Sequence, residues 1–397
     1  MIYLDNAATT KIAPEVLEEM LPYLQEQYGN AGALYKLGRD ANEAVRKARA
    51  QVASLLHCEP GNIVFTSGGS ESNSLVFKGI RERLLRIGKT HIVTTAVEHD
   101  SVLKAADSLI KSGFDITYLR PDNNGVISAR ALERAITDDT GFVSIMHTNN
   151  ETGAVNNISD LASVCAGRGI LFHSDCVQAV GCYDIDTGAM RGLDFASVSA
   201  HKLHGPKGAG ALYARDPRIL SPVIAGGSEQ EFGLRGGTEN VAGIVGFGKA
   251  CELVSSNLRE DTIKASTVKQ RFFFSLMEAA GGDLNDAGIY VNGCPPVEPG
   301  KILNLRIEGV SGETLLLMMD ADGVCISAGS ACRSHERRPS HVLTAMGLSE
   351  DEAGSSIRIS FSRLNTQREA EQAAGLLASN IFSLRSMAKE GGAEWMT

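Results

Sequence analysis

Several short segments combine residue types that packing alone does not require. Ser199-Ala200-His201-Lys202 ends an apolar run with a lysine, a poor choice for a surface there and a nucleophile toward carbonyls. Ser174-Asp175-Cys176-Val177-Gln178 ends another run with a carboxylate, which needs a partner once buried. Thr66-Ser67-Gly68-Gly69-Ser70-Glu71 sets glycines and hydroxyls before a helical pattern, where free N–H groups and the helix dipole favour an anion. Glu98-His99 and His147-Thr148-Asn149-Asn150 close two further runs. Singly, each has an ordinary structural explanation, such as a capping box or a core histidine.

Together they suit one small group. A phosphate wants the helix N-terminus, a protonated ring nitrogen wants the carboxylate, and an aldehyde wants the lysine. That combination is pyridoxal 5′-phosphate. It requires all these residues on one rim of one sheet, beyond the C-terminal ends of its strands.

The surrounding pattern predicts such a sheet. β-rich runs fall at Ile63–Thr66, His91–Val97, Asp115–Leu119, Phe142–His147, Ile170–Ser174, Phe195–Ser199 and Gly210–Tyr213. Helical stretches at 71–86, 101–112, 129–137 and 158–168 separate most of them, after helices at 11–27 and 38–57. The fold class is therefore α/β, with a seven-stranded, mainly parallel, doubly wound sheet. A short Gly-rich turn between the last two strands implies one antiparallel pair. Gly226-Gly227 and Gly233 to Gly237 read as a long flexible loop. Helices at 240–257 and 258–280, strands at Lys301–Ile307 and Val324–Ser327, and helices at 312–321 and 366–390 describe a smaller α+β domain. Residues 15–257 are expected to form the large cofactor-binding domain, and 1–14 with 258–397 the small one.

Composition narrows the function. The chain has 397 residues and a net charge of −9, which argues against direct nucleic-acid or anionic-membrane binding. No run is apolar enough to span a membrane, and the first residues lack an export signal, so the expected compartment is the reducing cytoplasm. The eight cysteines contain no C-x-x-C pair, so no metal site is expected. Cys332 with His335 would supply only two metal ligands.

The sequence resembles the pyridoxal-phosphate-dependent cysteine desulfurases of the iron–sulfur-cluster and nitrogen-fixation class. The resemblance runs from Tyr3-Leu4-Asp5-Asn6-Ala7-Ala8 to Ser355-Ser356-Ile357-Arg358. Ser199-Ala200-His201-Lys202 and Ser327-Ala328-Gly329-Ser330-Ala331-Cys332 carry it most specifically. It implies a fold-type-I transferase. Lys202 would join the cofactor's aldehyde, Asp175 pair with the ring nitrogen, Gln178 donate to the ring hydroxyl, and His99 stack on the ring and handle protons. Gly69, Ser70, Ser199 and His201 would hold the phosphate, with Thr238 reaching the partner subunit's cofactor in a homodimer with composite sites. Asn150 and Arg358 would meet the carboxylate of L-cysteine, and Cys332 would take the sulfur as a persulfide. A sulfur-acceptor protein is then implied, serving iron–sulfur assembly, tRNA thiolation or DNA phosphorothioation.

The chain departs from the family in Gly29-Asn30-Ala31-Gly32-Ala33-Leu34-Tyr35, and in a basic run with Arg333, Arg337 and Arg338 after Cys332. Cys325 reads as a buried core thiol, and Cys176 as pointing away from the ring. A selenocysteine lyase, or another fold-type-I enzyme, shares much of the pattern. A non-catalytic sulfur scaffold would be expected to lack Lys202, Asp175 or Cys332, and all three are present.

Overall fold

Most of the apolar runs become strands buried on both faces, β4 at the sheet edge excepted. The computed structural model describes residues 1–227, 230–328 and 339–393, the side chains of 389–393 excepted. In chain order the elements begin with β1 (Ile2–Tyr3), α1 (Pro14–Gln25), α2 (Lys36–Leu55), β2 (Ile63–Thr66), α3 (Gly69–Arg86), β3 (His91–Thr95) and α4 (Asp100–Ile110). There follow β4 (Asp115–Leu119), α5 (Ala129–Ala135), β5 (Thr140–Ser144), α6 (Ile158–Ala166), β6 (Leu171–Asp175), β7 (Phe195–Ser199) and β8 (Gly210–Ala214). The remainder is α7 (Val241–Ala279), β9 (Ile289–Asn292), β10 (Ile302–Ile307), α8 (Gly312–Ala321), β11 (Val324–Cys325), α9 (His341–Ala345), α10 (Glu350–Gly354), β12 (Ser356–Ser360) and α11 (Gln367–Ala393).

Seven strands form the large sheet in the order β2-β8-β7-β6-β5-β3-β4. Strand β8 runs antiparallel to both β7 and β2, so there are two antiparallel pairs where one was expected. Alternation along each strand divides the core. Ile63, Phe65, Val143, Phe172 and Val198 pack toward α1, α2, α5, α6 and the first half of α7. Val64, Ile92, Phe142, Phe195 and Leu212 pack toward α3 and α4.

A second sheet, β12-β10-β9, packs with α8, α11 and the C-terminal half of α7 around a separate apolar cluster. The two helices expected at 240–257 and 258–280 are one helix of 39 residues, about 58 Å long. Phe247, Cys251 and Val254 belong to the large-sheet core, and Val268, Phe272 and Leu276 to the smaller one. The N-terminal residues join the two regions. β1 pairs in parallel with β11, the Leu4 carbonyl accepts from Ser360 N–H (2.7 Å), and Thr10 N–H donates to the His201 carbonyl (3.0 Å).

The Gly-rich loop is tied down rather than loose over its described residues. Arg49 makes a two-pronged, buried ion pair with Glu231 (2.6 and 2.8 Å), whose carboxylate also accepts Phe65 N–H. Arg49 also lies over the Phe65 and Phe232 rings. Glu231 and Phe232 both sit at positive φ, 44° and 59°, a conformation costly for residues with a Cβ. The ion pair and ring contacts offset that strain.

Candidate active site

The strands of the large sheet end on one rim, and the sequence-predicted groups gather there. At the end of β2 the chain turns through Gly68, whose φ of 152° belongs to a region open essentially to glycine. Helix α3 then starts at Gly69, presenting its first unpaired N–H groups. A Cβ on Gly69 would meet Val177 Cγ2 at 2.6 Å, so this corner of the site has no spare room. Glu71, in the first turn, faces elsewhere: it accepts Ser67 N–H (2.8 Å) and pairs with Arg235 (3.1 Å). The helix N-terminus therefore keeps its preference for an outside anion.

His99 is the N-cap of α4; its Nδ1 accepts Ser101 N–H (3.1 Å) and lies 2.8 Å from Ser101 Oγ. Asn73 Nδ2 donates to that same Ser101 Oγ and to Asp175 Oδ2, each at 2.8 Å. Asp175 Oδ1 accepts Val177 N–H (3.0 Å). The buried carboxylate thus has the partners that burial demands. Gln178 Nε2 donates to the Ala7 carbonyl (2.8 Å), and its Oε1 is buried without a partner. Nε2 carries a second N–H, so donation to a ring hydroxyl is compatible with the bond to Ala7.

Lys202 sits on the short turn after β7, and its Nζ donates to the carbonyls of Ala7 and Ala8 (2.7 Å to the latter). His201 Nδ1 lies 3.1 Å from Thr9 Oγ1. Burial, then the cations Lys202, Lys207 and Lys301, push His201 down to about 4, so it is neutral at physiological pH. Arg358, on β12, is 2% exposed. Its two Nη groups donate to the Asn150 carbonyl and to Asp5 Oδ1, each at 2.8 Å. Its Nε is buried without a partner, as is Asn150 Oδ1.

These groups line one cavity of about 200 Å³: Gly69, Ser70, His99, Asn150, Asp175, Gln178, His201, Lys202 and Arg358 all contribute. Ser199 is buried beneath it, near Gly68, and Thr238 is exposed on its loop outside it. The departing loop 29–35 supplies no lining residue; Leu34 is 89% exposed. Cys332 and Arg333, Arg337 and Arg338 lie outside the described residues. Cys325 is half-buried at the β1–β11 edge rather than in the core; burial, then Asp320 and Asp5, raise its thiol pKa. Cys176 is fully buried, and its thiol is pushed up to about 12 by burial. Among the described residues, no cluster of His, Cys, Asp and Glu could hold a metal ion, and no helix is long and apolar enough to cross a membrane.

Sequence reasoning missed Asn73, Ser101 and Asp5. Asn73 had a signal: a buried asparagine one turn inside a helix, on the face of Gly69 and Ser70. Asp5 and Ala7 gave no chemical signal beyond their place in a family motif.

The model of the aminotransferase class-V family matches residues 2–372, and the chain belongs to that family. A cysteine desulfurase IscS from Clostridium botulinum is 41% identical over 389 residues, spanning 97% of this chain and 96% of that protein. A solved NifS-like protein superposes with a TM-score of 0.86 at 33% identity, covering 95% of this chain and 98% of the other. SspA, solved in complex with cysteine, gives a TM-score of 0.79 at 37% identity over 92% of this chain and all of that one. Within its family the chain is thus one of the cysteine desulfurases, which are pyridoxal-phosphate-dependent. The residues fit that cofactor: a tight glycine cradle meets a helix N-terminus, and orphaned buried polar atoms of Gln178, Asn150 and Arg358 converge on the cavity.

Proposed function

We propose that the chain converts L-cysteine to L-alanine, with Cys332 taking the sulfur. The Cys332 thiol and L-cysteine become a Cys332 persulfide and L-alanine, so no outside oxidant or reductant is needed. The observation that carries this reading is the convergence of Lys202, Asp175, His99, Arg358 and the α3 N-terminus on one cavity. Bound pyridoxal phosphate supplies an electron-withdrawing ring that stabilises negative charge at the substrate α carbon.

The chain's own groups divide the remaining work. The N–H groups of Gly69 and Ser70 hold the phosphate, with Ser199 and His201 beside them. Asp175, fixed by Asn73 and Val177, keeps the ring nitrogen protonated. Arg358 offers its Nε–H to the substrate carboxylate, next to Asn150. Lys202 Nζ moves the α-carbon proton.

Both flanks of the segment carrying Cys332 support its role. On one side Ser327 and Arg358 exchange backbone hydrogen bonds (3.0 and 2.7 Å). On the other, Ser340 Oγ donates to Glu151, and His341 Nε2 to the Glu98 carbonyl (2.9 Å). Arg358, Asn150 and His99 are thus either at these anchors or one residue away. A homodimer accounts for Thr238, which is exposed and does not line its own cavity. A cytoplasmic acceptor protein would receive the sulfur.

The test follows L-cysteine turnover, with alanine measured and the persulfide located by mass spectrometry. Lys202→Ala loses the visible absorption of the bound cofactor. Cys332→Ser keeps that absorption and forms no persulfide; sulfide release from it at the wild-type rate sinks the assignment.

A further inference from the structure

We propose that His99 is held as a neutral imidazole with its proton on Nε2. It then serves as a fixed hydrogen-bond donor toward the reacting atoms, and Ser101 and Asn73 are the residues that position it so. The inference rests on the cavity being the cofactor site and narrows the role expected of His99.

The hydrogen bonds at Nδ1 decide the tautomer. Ser101 N–H points at Nδ1 from 3.1 Å, so that nitrogen presents a lone pair and not a hydrogen. Ser101 Oγ, 2.8 Å from the same nitrogen, accepts the Asn73 amide and is placed to donate its own hydrogen to the Nδ1 lone pair. A neutral ring with a bare Nδ1 carries its proton on Nε2. A doubly protonated ring would set its Nδ1–H against the Ser101 N–H.

The electrostatic setting agrees. His99 caps an 11-residue helix at its positive end. Among the described residues, the ionisable groups near it include Asp100 in the first turn of α4, Glu98 before it, Asp175 from β6, His201 and Lys202 from the turn after β7, and Arg358 from β12. Glu98 is held protonated by its burial. Asp175 is engaged by Asn73 and Val177, and Lys202 and Arg358 oppose a further cation. The Asn73 amide thus orients the ring-nitrogen carboxylate and the tautomer of His99 together. A neutral histidine at a helix N-terminus can stabilise developing negative charge without carrying the proton away. Proton movement at the α carbon then falls to Lys202.

The test is 15N NMR of histidine-labelled protein near pH 7.5, in apo and cofactor-loaded forms. The His99 signals are assigned by their loss in His99→Gln. The expected spectrum shows a bare Nδ1 and a protonated Nε2; a protonated Nδ1, in either neutral or cationic ring, overturns the proposal. In turnover, His99→Gln places an amide N–H near Nε2 and should stay within about tenfold of wild type. His99→Leu should fall by about 10²–10³, the loss typical of one removed donor. A glutamine variant as slow as the leucine variant, with cofactor absorption intact in both, also overturns it. Wild-type protein that binds no cofactor would strike the underlying reading instead, because the apoprotein spectrum does not depend on it.

Discussion

Glu98 immediately precedes His99 and is fully buried, which makes its protonation state a stability term. Burial, with a further push from Asp175, raises its carboxyl to about 8, against the opposing hydrogen bonds of Met146 N–H and Thr95 Oγ. An unfolded glutamate releases its proton near about pH 4.3. Between those values the folded chain binds one proton more than the unfolded chain, so stability falls as pH rises. The slope is about 1.4 kcal/mol per pH unit, or about 3 kcal/mol from about pH 5.5 to about pH 7.5. Glu98→Gln removes the titration and keeps an acceptor for Met146 N–H and Thr95 Oγ. Urea unfolding of both proteins across that range, at equal protein and cofactor concentrations, reads the difference directly. The variant should gain on wild type by about 2–3 kcal/mol over those two units, the gain levelling off above about pH 8. A difference independent of pH refutes the reasoning. A difference of opposite sign would mean that Glu98 is ionised and paired in the folded protein.

Other perturbations test separate parts of the structure. Arg49→Ala strands Glu231 as a buried, uncompensated charge and should cost about 3–5 kcal/mol in urea unfolding; a loss below about 1 kcal/mol counts against the clamp. Gly68→Ala places a Cβ where φ is 152°, and Gly69→Ala drives one into Val177. Each should weaken pyridoxal-phosphate binding by at least about tenfold in an absorbance titration, and unchanged affinity refutes the cradle. Cys325→Ser should retain persulfide formation within about twofold, since a thiol with a raised pKa is a poor nucleophile; an inactive variant would displace Cys332 as the sulfur carrier.

Most of the large sheet was readable because strands buried on both faces appear as largely apolar runs; the edge strand β4 is the exception. All seven runs became its strands. The smaller sheet hid for physical reasons. β12 reads Ser356-Ile357-Arg358-Ile359-Ser360; Ile357 and Ile359 enter the smaller apolar cluster, while the polar face, which pattern reasoning would leave in solvent, is buried against the site. β1 has two residues, too few to show a period. α7 looked like two helices because Ser255, Ser256 and Asn257 weaken the helical pattern midway. Packing of its two halves against different cores overrides that local preference.

The site divides along a similar line. Lys202, Asp175, Gln178 and the α3 glycines stood out because their residue types conflict with their positions at strand ends. What the sequence hid is the machinery that holds them. The Ala7 carbonyl accepts both Gln178 Nε2 and Lys202 Nζ, yet a backbone carbonyl has no residue-type signature. Asp5 meets Arg358 across 353 positions, and Asn73 meets Asp175 across 102. Such pairs exist only once β1 has joined β11 and α3 has packed beside β6. The same reasoning explains why β1 is so short and still matters. Its neighbours Asp5, Ala7 and Ala8 hold Arg358, Gln178 and Lys202 at once, so displacing those few residues would disturb three of the proposed site residues together.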